Sequence, residues 1–250
     1  HDYSFISYRI YAQSLGIPVV SVPVNTDWEV DVERFISACH EKTAIIFIAN
    51  PNNPTGTYTP IVQIQKLLDN IPSSTIVVVD EAYHEYSNVK EQTCAKSLLA
   101  TFPNLIITRT FSKAYGLAGL RIGYAVSHPD IASILVRAME PFGINQVGLA
   151  GAYAALDDEA FLAETIQTNE RGVEQLKSGL HKLGLDYIEP YGNFITFNCK
   201  QDANIIYQAL LRHGIIVRPL HPYNMADYLR VTCGSGEQNK RFLDTLERVL

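Results

Sequence analysis

Short apolar runs rich in β-branched residues recur through the first half of the chain, and this recurrence does most to narrow the available folds. The runs are Ile17–Val22, Ala44–Ala49, Thr75–Val79, Leu105–Thr108 and Ile122–Val126. A run of four to six apolar residues without polar alternation suits a strand covered on both faces. Between the second and third runs, Ile61, Ile64, Leu67, Leu68 and Ile71 lie on one face of a helix that Pro60 can start. Strand, helix, strand is the crossover that parallel strands require. The first half therefore predicts an α/β fold: a mostly parallel mixed sheet with helices on both faces, forming a large domain over residues 1–156.

The period changes near Asp157. Leu162, Ile166, Val173, Leu176, Leu180 and Leu183 recur at helical spacings and Gly184 follows as a C-terminal cap, which describes one long amphipathic helix. Beyond it the pattern predicts strands at Phe194–Asn198, Ile215–Arg218 and Tyr228–Thr232. Helices are predicted at Asp202–His213 and from Gln238 onward. Residues 157–250 thus read as a bridging helix and a smaller C-terminal α+β domain.

Composition removes several classes of function. The chain has 250 residues, with 20 Lys plus Arg against 26 Asp plus Glu, a net charge of −6 that gives no basis for a nucleic-acid partner. Its hydrophobic fraction of 47% excludes a disordered chain, and no apolar run approaches the ~18–20 residues of a membrane span. Cys39, Cys94, Cys199 and Cys233 are scattered, without a C-x-x-C pair or a leader-like segment, which suggests a reducing, cytoplasmic setting. The first residue is His1, not Met, so the sequence is expected to begin partway through a longer protein.

In open α/β sheets, ligands bind beyond the carboxyl ends of the strands. After the run at 44–49 comes Asn50-Pro51-Asn52-Asn53-Pro54-Thr55-Gly56; after 75–79 come Asp80, Glu81 and Tyr83; after 105–108 come Arg109, Thr110, Ser112, Lys113, Gly116, Gly119 and Arg121. Taken singly, each has a plain structural role: a proline turn, a helix cap, a solvated lysine, a surface ion pair. Together they place an amide, a carboxylate, a phenol, hydroxyls, a lysine and an arginine at one sheet edge. Val79-Asp80-Glu81 resembles the acidic strand of a Walker-type ATPase, but no G-x-x-x-x-G-K-[ST] loop occurs in the sequence. Residues Gly116–Gly123 do not match a dinucleotide fingerprint. A metal site is equally poorly supported, since His84 beside Glu85 has no second histidine at i+4.

Pyridoxal phosphate asks for all the groups at this edge. A lysine amine (Lys113) can hold its aldehyde as a Schiff base and then move the α-proton. A carboxylate (Asp80) can face the ring nitrogen. Tyr83 and Asn53 can bind the ring oxygen, and Thr110, Ser112 and Arg121 the phosphate. In this order and spacing, Asn53-Pro54-Thr55-Gly56, Asp80-x-x-Tyr83, Ser112-Lys113 and Arg121-x-Gly123 resemble the fold-type I aminotransferases. The stretch Arg109–Tyr124 is most similar to the histidinol-phosphate aminotransferases, and the resemblance runs the length of the chain.

The resemblance implies that Phe5 stacks on the pyridine ring and that Arg230 binds the acidic end of the substrate. It also implies that Arg218 is a second arginine near the substrate phosphate. The implied reaction is amine transfer between glutamate and the imidazole-acetol phosphate ketone, with Lys113, Asp80 and Tyr83 catalytic and Asn53 also touching substrate. A threonine-phosphate decarboxylase or an aromatic aminotransferase would keep Lys113, Asp80 and Arg121, so these residues do not choose among the three. The resemblance further implies a homodimer, and a preceding segment that adds donors to the cofactor phosphate.

Overall fold

The computed structural model describes residues 1–87 and 94–250. In chain order the elements are α1 (Ile6–Ser14), α2 (Val32–Ala38), β1 (Ile45–Ala49), α3 (Ile61–Asp69), β2 (Ile76–Asp80), β3 (Leu105–Thr110) and β4 (Gly123–Ser127). They continue with α4 (Pro129–Ala138), α5 (Gln146–Asp157), α6 (Glu159–Lys182), β5 (Tyr187–Ile188), β6 (Phe194–Asn198), α7 (Ala203–Arg212), β7 (Arg218–Leu220), β8 (Met225–Thr232) and α8 (Gly236–Val249).

The first sheet has the order β1-β2-β3-β4; its first two pairings are parallel and the last is antiparallel. Alternate residues Ile46 and Ile48, Val77 and Val79, and Leu105 and Ile107 meet Ile64, Leu67 and Leu68 of α3 in one buried cluster. That is the period-2 face of a sheet receiving the apolar stripe of a helix. The register sets Ala49 beside Asp80 and Asp80 beside Thr108, so the polar residues that follow each strand emerge along one edge.

The second sheet is wholly antiparallel, in the order β5-β6-β8-β7. Leu176 and Leu180 of α6, Ile206 and Leu210 of α7, and Phe242 and Leu246 of α8 bury its Ile195, Phe197, Leu229 and Val231. The 24-residue α6 starts at Asp158, whose side chain accepts from the Phe161 N–H.

Three expectations about elements change. Ile17–Val22 forms no strand: Ile17, Val19 and Val20 are exposed, and no strand among the described residues pairs with the segment. Pro18 and the following Pro23 remove donors from any such ladder. The strand expected at Ile215–Arg218 starts at Arg218 instead, where pairing to β8 begins. The last helix begins two residues before Gln238, because Ser235 and Gln238 close a reciprocal capping box.

Candidate active site

The loop after β1 is closed on itself. The Asn50 amide donates to the Thr59 carbonyl and accepts from the Thr59 N–H, both at 2.8 Å. Asn52 donates to Thr55 Oγ1 at 2.8 Å and to the Tyr3 carbonyl at 2.9 Å. Gly56 turns the chain at φ +85°, and its carbonyl accepts from the Tyr191 N–H at 2.8 Å. From Pro51 to Thr59 every residue but Asn53 is buried. The folding of the loop therefore leaves the Asn53 amide side chain partly exposed, and its Oδ1 accepts from the Arg230 guanidinium.

Asp80 ends β2. Its Oδ2 accepts from the Tyr8 hydroxyl at 2.6 Å and its Oδ1 from the Ala82 N–H at 3.2 Å. Tyr83 follows one turn later, buried, with its ring edge-on to Phe194 at 5.1 Å. Burial raises its phenol pKa, against the pull of Arg230. Lys113 lies between buried Phe111 and buried Ala114, while its own amine reaches out to 5.4 Å from the centre of the Tyr83 ring. Burial and the guanidiniums of Arg230 and Arg121 push the Lys113 pKa down, with Asp80 opposing. An amine so placed is more readily neutral, the state in which it attacks a carbonyl or accepts a proton.

Thr110, Ser112 and Arg121 form a third group. Thr110 Oγ1 accepts from the Ser112 N–H at 3.0 Å, and Arg121 Nη1 lies 2.8 Å from the Ala118 carbonyl and 3.5 Å from Ser112 Oγ. The guanidinium is exposed. Gly123 makes this turn possible, since a Cβ there would stand 2.6 Å from the Arg109 carbonyl oxygen.

From the second sheet, β8 contributes Arg230 and β7 contributes Arg218, directly opposite it in register. Arg230 lies over the Phe194 ring at 4.8 Å. Its Nε is buried without a partner among the described residues. Burial lowers its pKa, Tyr83 and Tyr223 counter this, and Arg218 lowers it further. Like charges opposite one another destabilise a strand pair unless an anion lies between them. Lys113, Arg121, Arg218 and Arg230 against Asp80 give this group of interacting residues an excess of positive charge suited to a phosphate or a carboxylate.

Pairwise contacts and charge interactions thus link the expected residues: Arg230 with Asn53, Tyr83 and Arg218, Lys113 with Tyr83, Asp80, Arg121 and Arg230, and Ser112 with Thr110 and Arg121. Phe5 caps α1 and packs edge-on against Tyr8 at 5.6 Å, beside the same carboxylate. Sequence reasoning gave no role to Phe194, to Tyr8 as a partner of Asp80, or to Glu81 as a partner of Arg109. Glu81 is fully buried, accepting from Arg109 Nε and Nη2 at 2.9 and 2.7 Å and from the Ala95 N–H at 2.8 Å. His84 and Cys94 approach Glu81 closely enough to suggest three metal ligands, but the Arg109 guanidinium already occupies its carboxylate.

A family model described as aminotransferase class I and II matches residues 1–246. Histidinol-phosphate aminotransferase 2 of Legionella pneumophila (strain Lens) is 49% identical over 247 residues, covering 99% of this chain and 67% of that protein. Histidinol-phosphate aminotransferase 2 of Pseudomonas aeruginosa is 44% identical over 249 residues, covering 100% and 67%. Among solved structures, histidinol-phosphate aminotransferase of Sinorhizobium meliloti in complex with pyridoxal-5′-phosphate superposes with a TM-score of 0.91. It is 30% identical, over 98% of this chain and 68% of that one. The chain therefore spans about two thirds of the length of these relatives.

Proposed function

Because the chain belongs to the aminotransferase class I and II family, we propose that it transfers an amino group between glutamate and imidazole-acetol phosphate, with pyridoxal phosphate as cofactor. The products are 2-oxoglutarate and L-histidinol phosphate, which makes this a step of histidine biosynthesis. The observation that carries the reading is the charge interaction of two sets of residues, one from each sheet. A lysine of lowered pKa stands near a strand-end carboxylate, and two arginines face each other across β7 and β8.

The donor set fits the cofactor. Asp80 would hold a proton at the ring nitrogen, Tyr83 and Asn53 would donate to the ring oxygen, and Phe5 would cover the ring face. Thr110, Ser112 and the exposed Arg121 guanidinium would take the phosphate. When bound, pyridoxal phosphate supplies a ring that accepts the electron pair left by breaking the substrate Cα–H bond. Lys113 Nζ would hold the aldehyde carbon and, once the substrate amine replaces it, carry the proton to and from Cα. Arg230 and Arg218 would orient the acidic end of the substrate, by bidentate pairing for a carboxylate or a phosphate. The buried, unpartnered Nε of Arg230 supports this, because an anion there would satisfy it.

Residues 1–156 and 157–250 are proposed as two domains, each sheet having its own buried cluster. A homodimer is proposed as well. Ile134, Val136 and Met139 of the α4 region and Val147, Leu149 and Tyr153 of α5 leave a broad apolar surface exposed, which a second copy would cover. A cytoplasmic setting is supported by the four unpaired cysteines. No helix among the described residues is long and apolar enough to cross a membrane.

The test is a visible absorbance band that borohydride fixes onto Lys113, together with 2-oxoglutarate release from glutamate that depends on the phosphorylated ketone. Lys113→Ala should lose both. Turnover retained in that variant, or carbon dioxide evolved in place of 2-oxoglutarate, would sink the assignment.

A further inference from the structure

The Tyr8 phenol is held in place by its neighbours. Its ring stacks on Phe47 of β1, with centroids 4.6 Å apart and planes 15° apart, and Phe5 packs edge-on against it. What remains free to act is the hydroxyl, which donates to Asp80 Oδ2 at 2.6 Å. The other carboxylate oxygen accepts from the Ala82 N–H at 3.2 Å. We propose that Tyr8 is a positioning residue for Asp80, turning the carboxylate so that its unused lone pairs face the ring nitrogen of the cofactor. This rests on the proposed function, in which Asp80 is the partner of that nitrogen.

Three observations support the inference. An ionised carboxylate offers about four acceptor sites, so two donors fix its plane and still leave room for a third. Burial raises the Tyr8 pKa far above its ordinary value, and the charge and hydrogen bond of Asp80 raise it further, as do Tyr83 and Tyr223. The phenol therefore stays protonated, a permanent donor. Among the described residues, the one donor to the Asp80 carboxylate that is not close in sequence is this hydroxyl, 72 residues away, so the orientation of the carboxylate depends on α1 being docked against β1 and β2.

Tyr8→Phe keeps the ring and its packing and removes only the hydroxyl. Titration of the apoprotein with pyridoxal phosphate should show about tenfold weaker binding in this variant, the worth of a hydrogen bond to a charged group. In an Asp80→Asn background, adding Tyr8→Phe should change the affinity less than about twofold, since the carboxylate it served is gone. Equal binding by the parent and Tyr8→Phe overturns the inference, and so does the same tenfold loss in the Asp80→Asn background, which would mean simple loosening.

The contact can also be read without cofactor and without altering Tyr8. With 13C-labelled tyrosine, Asp80→Asn should shift the Tyr8 Cζ resonance of the apoprotein at neutral pH, because the phenol loses its charged acceptor, and an unmoved resonance overturns the inference even if Tyr8→Phe fails to fold. A parent protein that takes up no pyridoxal phosphate overturns the functional reading as well, whereas uptake with an unaltered Tyr8→Phe overturns this inference alone.

Discussion

Replacing Glu81 should destabilise the protein more than replacing any of the site residues around it. The side chain is fully buried and accepts three N–H hydrogen bonds, two of them from a guanidinium whose side chain is only 20% exposed, besides a weak one from the Cys94 thiol at 3.9 Å. Glu81→Ala removes the anion, orphans the Ala95 N–H and leaves the Arg109 cation without compensation. Breaking a buried pair in this way costs about 3–5 kcal/mol. For a chain of this size that corresponds to a fall of roughly 6–20 °C in Tm. Urea unfolding followed by circular dichroism measures it directly, since the loss should appear in the midpoint at constant slope. Glu81→Met combined with Arg109→Met should cost less than Glu81→Ala, because the double change removes both desolvated charges at once. A loss below about 1 kcal/mol in Glu81→Ala, or a double variant as unstable as the two single ones summed, would refute the argument. The pair matters to the site because the Glu81 N–H also donates to the Thr108 carbonyl at 2.8 Å, tying the end of β2 to the strand that carries Thr110.

Arg218→Gln should raise KM for the phosphorylated substrate about tenfold or more while leaving the reaction with glutamate nearly unchanged, because one of two facing guanidiniums is lost; equal effects on both substrates would count against its assignment to the phosphate. Arg230→Gln should raise the Lys113 pKa. The folded-state value is depressed by burial and then by this guanidinium, so removing the cation favours the ammonium form and moves the midpoint of Lys113 labelling by an amine-reactive reagent to higher pH; an unchanged midpoint would contradict the electrostatic account.

Much of the site was legible because its residues follow strands directly. Asp80, Lys113 and the Asn53 turn stand a few residues beyond apolar runs, and parallel pairing then brings them to one edge whatever the details of packing. The same local logic failed at Ile17–Val22, where apolar composition suggested a strand that has no partner among the described residues. Arg218 and Arg230 became interpretable through family resemblance. Nothing in the spacing of two residues twelve positions apart shows that they sit opposite one another across β7 and β8.

By itself the sequence determined the alternation of strands and helices, the apolar faces of α3 and α6, and the chemical inventory of the candidate site. Those features follow from periods of two and 3.6 residues and from what comes next in the chain. Only the tertiary structure decided which side chains meet: Tyr8 with Asp80, Glu81 with Arg109, Asn53 with Arg230. Such contacts span 28 to 177 residues of chain. They are set by how helices and sheets pack against each other, and local periodicity carries no record of that.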